Sequence, residues 1–583
     1  MQLGSFASKP GTLQTLKPSS NKDMLHMRSP SRRLALQRLY HWEATAPHKV
    51  CFTQPMGNGV VQTFTWSEAA DEVRRMANHL QSLGLTPGSR IAIWGKNTAH
   101  WIMADWAIWM AGHVSVTLYP TLAAKTVRQI LSRSGVSLLF VGKLDDQDVI
   151  RAGIPETMPC IHLPLGPQAH GNNWSDILKV HSPLQSEVFR PADDLCTLMY
   201  TSGTTDKPKG VMHSFGTFQA NTAQALQRFP LDETDRMLSY LSLAHIAERS
   251  FVEHMLLATG MQVFFAESQE TFIEDMQRAR PTFFYSVPRL WRKFREGVQT
   301  KVPQKNLEIL LKTPVLNRVV QKKILSALGL DQCRLAACGA APMPSELVRW
   351  FGALGLNLIE VYGMTETGFT HSTDVGHRLP GSVGQSLGGV ECRLDPQTSE
   401  VQVWSAGLML GYFLEPELSA RAFTFDGWLH TGDRGVLDAQ GNLRLEGRLE
   451  DLFRTSKGVN VAPAAIEALL AVVPGVEASC VVGANMAQPL AVLALSAELL
   501  EKAGDRHGRS QLESMFEPEL MLLNKQLCAQ ERLSCLVLDQ KPWTVASGFV
   551  TPTLKVKRQK VTEAYGAFYE TWTAQGKAVV WLE

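Results

Sequence analysis

Between residues 65 and 141 the apolar residues change period repeatedly, and few folds accept that pattern. Thr65-Trp66-Ser67-Glu68 is a capping box, in which a hydroxyl and a carboxylate each satisfy a backbone N–H at a helix start. Ala69, Val73, Met76, Ala77, Leu80 and Leu83 follow at helical spacing, until Gly84 and Pro87 stop the helix. Residues 91–94 read as a strand, the segment from Trp101 to Gly112 as a helix and the run from Val114 as a strand. A helix from Ala123 and an apolar strand at residues 136–141 continue the series. Short apolar strands between amphipathic helices predict an α/β protein with largely parallel sheets.

The alternation runs on to about residue 447 and restarts beyond GRLEDL. Pro463 sits near the start of a helix whose apolar face is Ile466, Leu469 and Leu470. Strands near 480–483 and 490–495 follow, then a helix, a strand near 535–538 and a terminal helix. The expected architecture is a large multi-sheet domain at residues 24–447 and a small α+β domain at residues 448–583, with a hinge at 447–452. Residues 1–23, polar with Gly, Ser, Pro and Lys, predict a disordered leader. The most membrane-like stretch, residues 101–120, is interrupted by Asp105 and His113 and reads as core. A net charge of +2 on 583 residues gives no electrostatic reason to expect nucleic acid. Nine cysteines without CxxC spacing predict reduced thiols and a cytoplasmic protein.

The chemistry concentrates in YTSGTTDKPKGVMHS, residues 200–214. Four hydroxyls, two glycines and two lysines within residues 201–210 suit a polyanion, most plausibly a nucleotide phosphate chain. It is not the G-x-x-x-x-G-K-[ST] phosphate loop, because Gly203 and Gly210 are too far apart and no helix follows. Apolar runs on both sides predict a strand–loop–strand clamp. Two other matches carry little. GQSLG, residues 384–388, resembles a nucleophile elbow, but Gly389 and the alternating VECRL make Ser386 part of a turn. HIAERSFVEH offers His245, Glu248, Glu253 and His254 to a metal, but the spacing is not HExxH and a polar helix face explains it.

Six further segments follow the clamp or lie beyond it in order: LSLAHIAER, CGAAPMP, EVYGMTETG, DGWLHTGDRG, GRLEDLFRTSKGVNVAPAAIE and TPTLKVKR. With the clamp, they resemble the adenylate-forming, or AMP-binding, superfamily of acyl-CoA synthetases, luciferases and peptide-synthetase adenylation domains. SYLSLAHIAER and RPTFFYSVPRLWRKF are most similar to the long-chain fatty acyl-CoA synthetases, and the resemblance spans roughly residues 35–575.

That resemblance implies a two-step ligase using ATP, Mg²⁺ and coenzyme A. A fatty carboxylate forms acyl-AMP, and the CoA thiol then takes the acyl group. By match, Thr201, Ser202, Gly203, Thr204, Thr205 and Lys209 grip phosphates, and Thr201 and Glu366 hold the metal. Gly339, Ala340 and Ala341 floor the adenine site, with Tyr362, Gly363, Met364 and Thr365 around the base and α-phosphate. Asp433 and Arg448 match ribose and phosphate contacts. Lys555 matches the lysine that bridges carboxylate and α-phosphate, His245 the gate of the acyl pocket, and Glu450 the pivot of a small domain that turns between steps. Asp206 departs from the family glycine, and Glu450 from the usual Asp or Lys. The alternatives are an acyl-AMP ligase loading a carrier protein, a CoA ligase for a shorter or aromatic acid, and a non-catalytic nucleotide-binding relative. Peripheral contact with the inner face of the membrane is left open.

Overall fold

The computed structural model describes residues 33–168, 172–201, 208–314, 316–374, 379 and 381–582. The expected leader, Ser202 to Thr205 and Asp206 lie outside them. The capping box is formed: Thr65 N–H donates to Glu68 Oε2 at 2.8 Å and Glu68 N–H to Thr65 Oγ1 at 3.3 Å, opening the helix Trp66–Ser82. The strand Arg90–Trp94 pairs in parallel with both Val114–Leu118 and Val136–Val141, as the double-sided apolar runs require. Those strands belong to a seven-stranded sheet that ends with Leu195–Thr201, Lys209–Ser214 and Gly411–Tyr412.

A five-stranded sheet is built from Phe283–Ser286, Leu335–Cys338, Leu358–Met364, Gly368–Ser372 and Gln385–Ser386. Two four-stranded sheets complete the part before residue 449. One contains Val50–Gly57 and Gln262–Phe265; the other is the antiparallel set Val390–Leu394, Glu400–Ser405, Leu429–Leu437 and Leu443–Arg448. Ser386 sits in a two-residue strand followed by the Gly388–Gly389 turn, with no helix behind it.

The helix Ala99–Met110 is buried at every position, so the membrane-like stretch is core. Asp105, which interrupts it, pairs with Arg249; both side chains are fully buried, and Glu253 accepts from Arg249 Nε at 3.0 Å. Trp101, Trp109 and Phe218 surround that guanidinium at 5.6–5.8 Å from ring centroid to Cζ. HIAERSFVEH therefore differs from a solvated polar face. It runs from a short α-turn into the π-helix Arg249–His254, and Arg249 to His254 are all buried.

Beyond Arg448 a 3₁₀ turn, Leu449–Asp451, leads to a second set of elements. The helix Pro463–Leu470 packs on a sheet ordered Val476–Val482, Leu490–Leu495, Leu536–Asp539, Val579–Trp581. The chain thus ends on a short strand after its last helix, an edge the sequence pattern does not reveal. The apolar clusters here contain no fully buried residue before Val461. Arg292, from the helix Pro288–Lys301, donates from Nη1 to the carbonyls of Ala471 at 2.6 Å and Val476 at 2.7 Å. Arg289 beside it pairs with Glu477.

Candidate active site

Three sheets end at one place, and hydrogen bonds join their ends. From the hairpin Leu195–Thr201/Lys209–Ser214, buried His213 sends Nε2–H to the Thr365 carbonyl at 2.7 Å. Burial pushes this imidazole down to about 4, so it is neutral at physiological pH. Tyr412 donates its hydroxyl to Glu366 Oε1 at 2.9 Å, and its ring lies 5.8 Å from Lys209 Nζ. Thr201 pairs with Lys209 across the same hairpin. Lys209, Tyr412 and Glu366 are therefore one assembly.

EVYGMTETG owes its glycines to packing. The strands Leu358–Met364 and Gly368–Ser372 fold back so tightly that a Cβ on Gly363 would collide with the Gly368 carbonyl. At the neighbouring strand end, a Cβ on Gly339 would come within 2.9 Å of the Tyr285 hydroxyl and 3.0 Å of the Val361 carbonyl. Ala340 follows with φ of 66°, and Ala340 and Ala341 stay exposed. The result is a shallow shelf of small side chains beside Tyr362.

The third sheet supplies the carboxylate. Asp433 Oδ2 accepts from the Tyr362 hydroxyl at 2.6 Å, and Oδ1 lies 3.0 Å from Arg448 Nε on the adjacent strand. Arg448 Nη1 also donates to the Thr431 carbonyl at 2.9 Å, which fixes the guanidinium. Burial raises the Asp433 pKa, and Arg448 opposes the shift.

Lys555 reaches this cluster from the far end of the chain. Its hairpin is closed by Lys555 N–H to Thr551 Oγ1 at 3.0 Å and Thr551 N–H to the Lys555 carbonyl at 2.8 Å, with Leu554 at φ 61°. Lys555 keeps an open face, yet desolvation by the surrounding protein lowers its pKa. Arg448 pushes the same way, while Asp433 and Glu366 oppose. Arg558, three residues on, holds the hairpin's base: it bonds Glu467 Oε1 at 2.7 Å, Asp451 Oδ1 at 3.2 Å and the Val481 carbonyl.

His245 caps its own helix, its Nδ1 accepting from Ala247 N–H at 3.2 Å. Burial, with Lys555 adding to it, pushes its pKa to about 4. Its loop is fixed by Glu248, which accepts from Ser239 Oγ at 2.8 Å, Tyr240 N–H at 2.9 Å and Asn97 Nδ2 at 3.0 Å. Asn97 Oδ1 in turn receives Leu243 N–H at 3.0 Å. Glu248 and Glu253 are thus spent on structure, and no group of three metal-ligating side chains occurs among the described residues.

The structure brings Tyr362, Thr365, Glu366, Asp433, Arg448, Lys555 and His245 together, with Thr201, Lys209 and Gly339 at their edge. Glu450 is exposed in the 3₁₀ turn. Tyr412, His213, Asn97 and Arg558 are additions to the residues named from sequence, and Glu248, offered there to a metal, holds the loop instead.

The chain has the adenylate-forming fold. The chain superposes on the A domain of carboxylic acid reductase from Segniliparus rugosus, solved with AMP and a co-purified carboxylic acid. The TM-score is 0.77 at 19% identity, covering 94% of this chain and 95% of that one. A family model described as AMP-binding enzyme matches residues 39–413, and the chain belongs to that family. In sequence it is similar to long-chain-fatty-acid–CoA ligase FadD15 of Mycobacterium bovis, 28% identical over 91% of this chain and 96% of that protein. It is also similar to long chain acyl-CoA synthetase 4 of Arabidopsis thaliana, 27% identical over 86% of this chain and 85% of that protein.

Proposed function

We propose that this protein is an ATP-dependent ligase that activates a long-chain fatty acid and passes it to coenzyme A. A carboxylate oxygen attacks the α-phosphorus of ATP, forming the acyl-AMP bond and releasing pyrophosphate. The CoA thiol then attacks the acyl carbonyl, forms the thioester and releases AMP. The observation that carries this reading is the hydrogen-bonded meeting of Tyr412, Glu366, Tyr362, Asp433 and Arg448 from three sheets, with the ammonium of Lys555 in their field. Two anions must meet in the first step, and a fixed cation between them is the most direct remedy.

In this reading Asp433 accepts the ribose hydroxyls, Arg448 steadies it, and the shelf at 339–341 receives the adenine ring. Lys209 and the hydroxyl clamp take the terminal phosphates. His245, neutral, orients the carboxylate without adding charge. Glu366 and Thr201 offer a carboxylate and a hydroxyl, the hard oxygen donors that suit magnesium with its remaining waters and phosphate oxygens. The ion, when bound, neutralises phosphate charge. Residues 448–583 act as the small mobile domain, with Glu450 at its pivot, so Lys555 leaves after the first step. The reading includes a cytoplasmic location.

The test is AMP release by purified protein with ATP and acids from acetate to long chains, with and without CoA. Long-chain acids are expected to lead by orders of magnitude in kcat/KM, since each buried CH₂ contributes ~0.8 kcal/mol. A peak at acetate, an aromatic acid or an amino acid overturns the substrate class. Release that ignores CoA but responds to a phosphopantetheine carrier protein overturns the acceptor.

A further inference from the structure

We propose that the helical pair Gln304–Lys312 and Leu316–Ala327 docks the protein on the surface of an anionic phospholipid bilayer. The inner faces of both helices are spent on one core: Leu307, Ile324 and Leu328 are buried in the cluster that contains Trp291, Phe294 and Phe351. The outer faces therefore point away from that core together. On them stand Ile309, 65% exposed, Leu316, 48%, and Val319, 60%. Single exposed aliphatics are ordinary; three within eleven residues, around one turn, are not.

Their setting gives the partner's chemistry. Lys305, Ile309 and Lys312 share one side of the first helix at i, i+4 and i+3 spacing. Leu316, Val319, Lys322 and Lys323 share one side of the second. With Arg318, these helices hold five cations against the single carboxylate of Glu308, in a protein whose total charge is only +2. Among the described residues none of the five cations forms an ion pair. Thr313 and Asn317 close the turn through Asn317 N–H to the Thr313 carbonyl at 3.0 Å.

Aliphatic side chains ringed by lysines match the boundary between acyl chains and anionic headgroups, where each cation near the surface adds to the attraction. A nucleic acid would use the cations and leave the aliphatics in water. No helix of the described residues is long and apolar enough to cross a membrane, so this contact lies in the interface. The inference does not depend on which acid the active site takes.

The test uses the full chain and sedimentation with vesicles of phosphatidylcholine alone or mixed with phosphatidylglycerol. Binding is expected only to the mixed vesicles, weakening as salt rises. Ile309→Asp with Val319→Asp is expected to weaken it at least tenfold at low salt, and Lys305→Glu with Lys322→Glu and Lys323→Glu likewise. All five positions are exposed, so melting temperature and AMP release without vesicles stay at the parent values. Equal binding to both vesicle types, or none to either, overturns the proposal. So does full binding by the charge variant, which would put the contact elsewhere. Loss in the charge variant alone would mean electrostatic adhesion without insertion, and overturns the apolar half of the assignment.

Discussion

The Tyr412 hydroxyl donates to Glu366 Oε1 at 2.9 Å, joining the edge strand of the seven-stranded sheet to the turn after the strand Leu358–Met364. Tyr412→Phe removes the donor and keeps the ring under Lys209. A hydrogen bond to a charged group contributes about 1.5–3 kcal/mol, so pyrophosphate release should fall roughly ten- to a hundredfold. Glu366→Gln should abolish it, because an amide gives up the carboxylate that Tyr412 holds in place. Pyrophosphate release at saturating fatty acid decides both, and normal turnover in Glu366→Gln would remove that residue from the site.

Lys555→Ala should separate the two half-reactions. By analogy with a lost oxyanion donor, acyl-AMP formation should lose ~3–4 kcal/mol, a few-hundred-fold or more. Thioester formation from synthetic acyl-AMP and CoA should survive nearly intact. Equal loss in both assays would give Lys555 a purely structural part.

Adenylation should also carry an alkaline limit set by this lysine. Desolvation and Arg448 lower its pKa, so its ammonium is lost at a lower pH than that of a free lysine. Lys555→Arg, whose cation does not titrate in this range, should move the falling limb to higher pH even if its rate is lower. A limb that stays in place belongs to another group.

Arg292 holds the carbonyls of Ala471 and Val476, and its replacement should bias the cycle. Arg292→Ala should slow acyl-AMP formation several-fold while leaving the thioester step at or above the parent rate. Single-turnover rates for each step provide the check, and a uniform loss would mean that the contact does no more than stabilise the fold.

Glu248 predicts a pH-dependent stability. Burial raises its pKa to about 8, against about 4.5 when unfolded. Between those values the folded protein holds a proton that the unfolded chain has released. Stability from this group is complete below about 4.5 and declines as pH rises through 8. Denaturant midpoints should therefore fall between pH 6.5 and 8.5, and Glu248→Gln, which resembles the neutral acid, should flatten that slope.

Much of this was legible in the chain because it is local. The capping box at 65–68, the strand periods and the glycines of YGMTETG each act over a few residues. Tyr362, Asp433, Arg448 and Lys555 were legible through family resemblance rather than spacing. What stayed hidden depends on distant partners. Nothing near Asn97 announces Glu248, 151 residues on, and nothing near Asp105 announces the arginine that neutralises it. The π-helix was hidden for the same reason, since its polar residues look solvent-facing until that acid is found. The last strand, Val579–Trp581, is too short to show a period.

Asp105 and Arg249 also constrain how the protein can be made. The ribosome delivers the acid and its aromatic helix well over a hundred residues before the cation. Until Arg249 emerges, closing the core over Asp105 would strand a carboxylate away from water, at a cost of about 3–5 kcal/mol for a buried pair missing one member. Early closure of the core around that helix is therefore unfavourable. The sheet strands on either side of it are expected to consolidate after the π-helix has left the exit tunnel, which would make this stretch a client for whatever guards unfinished chains.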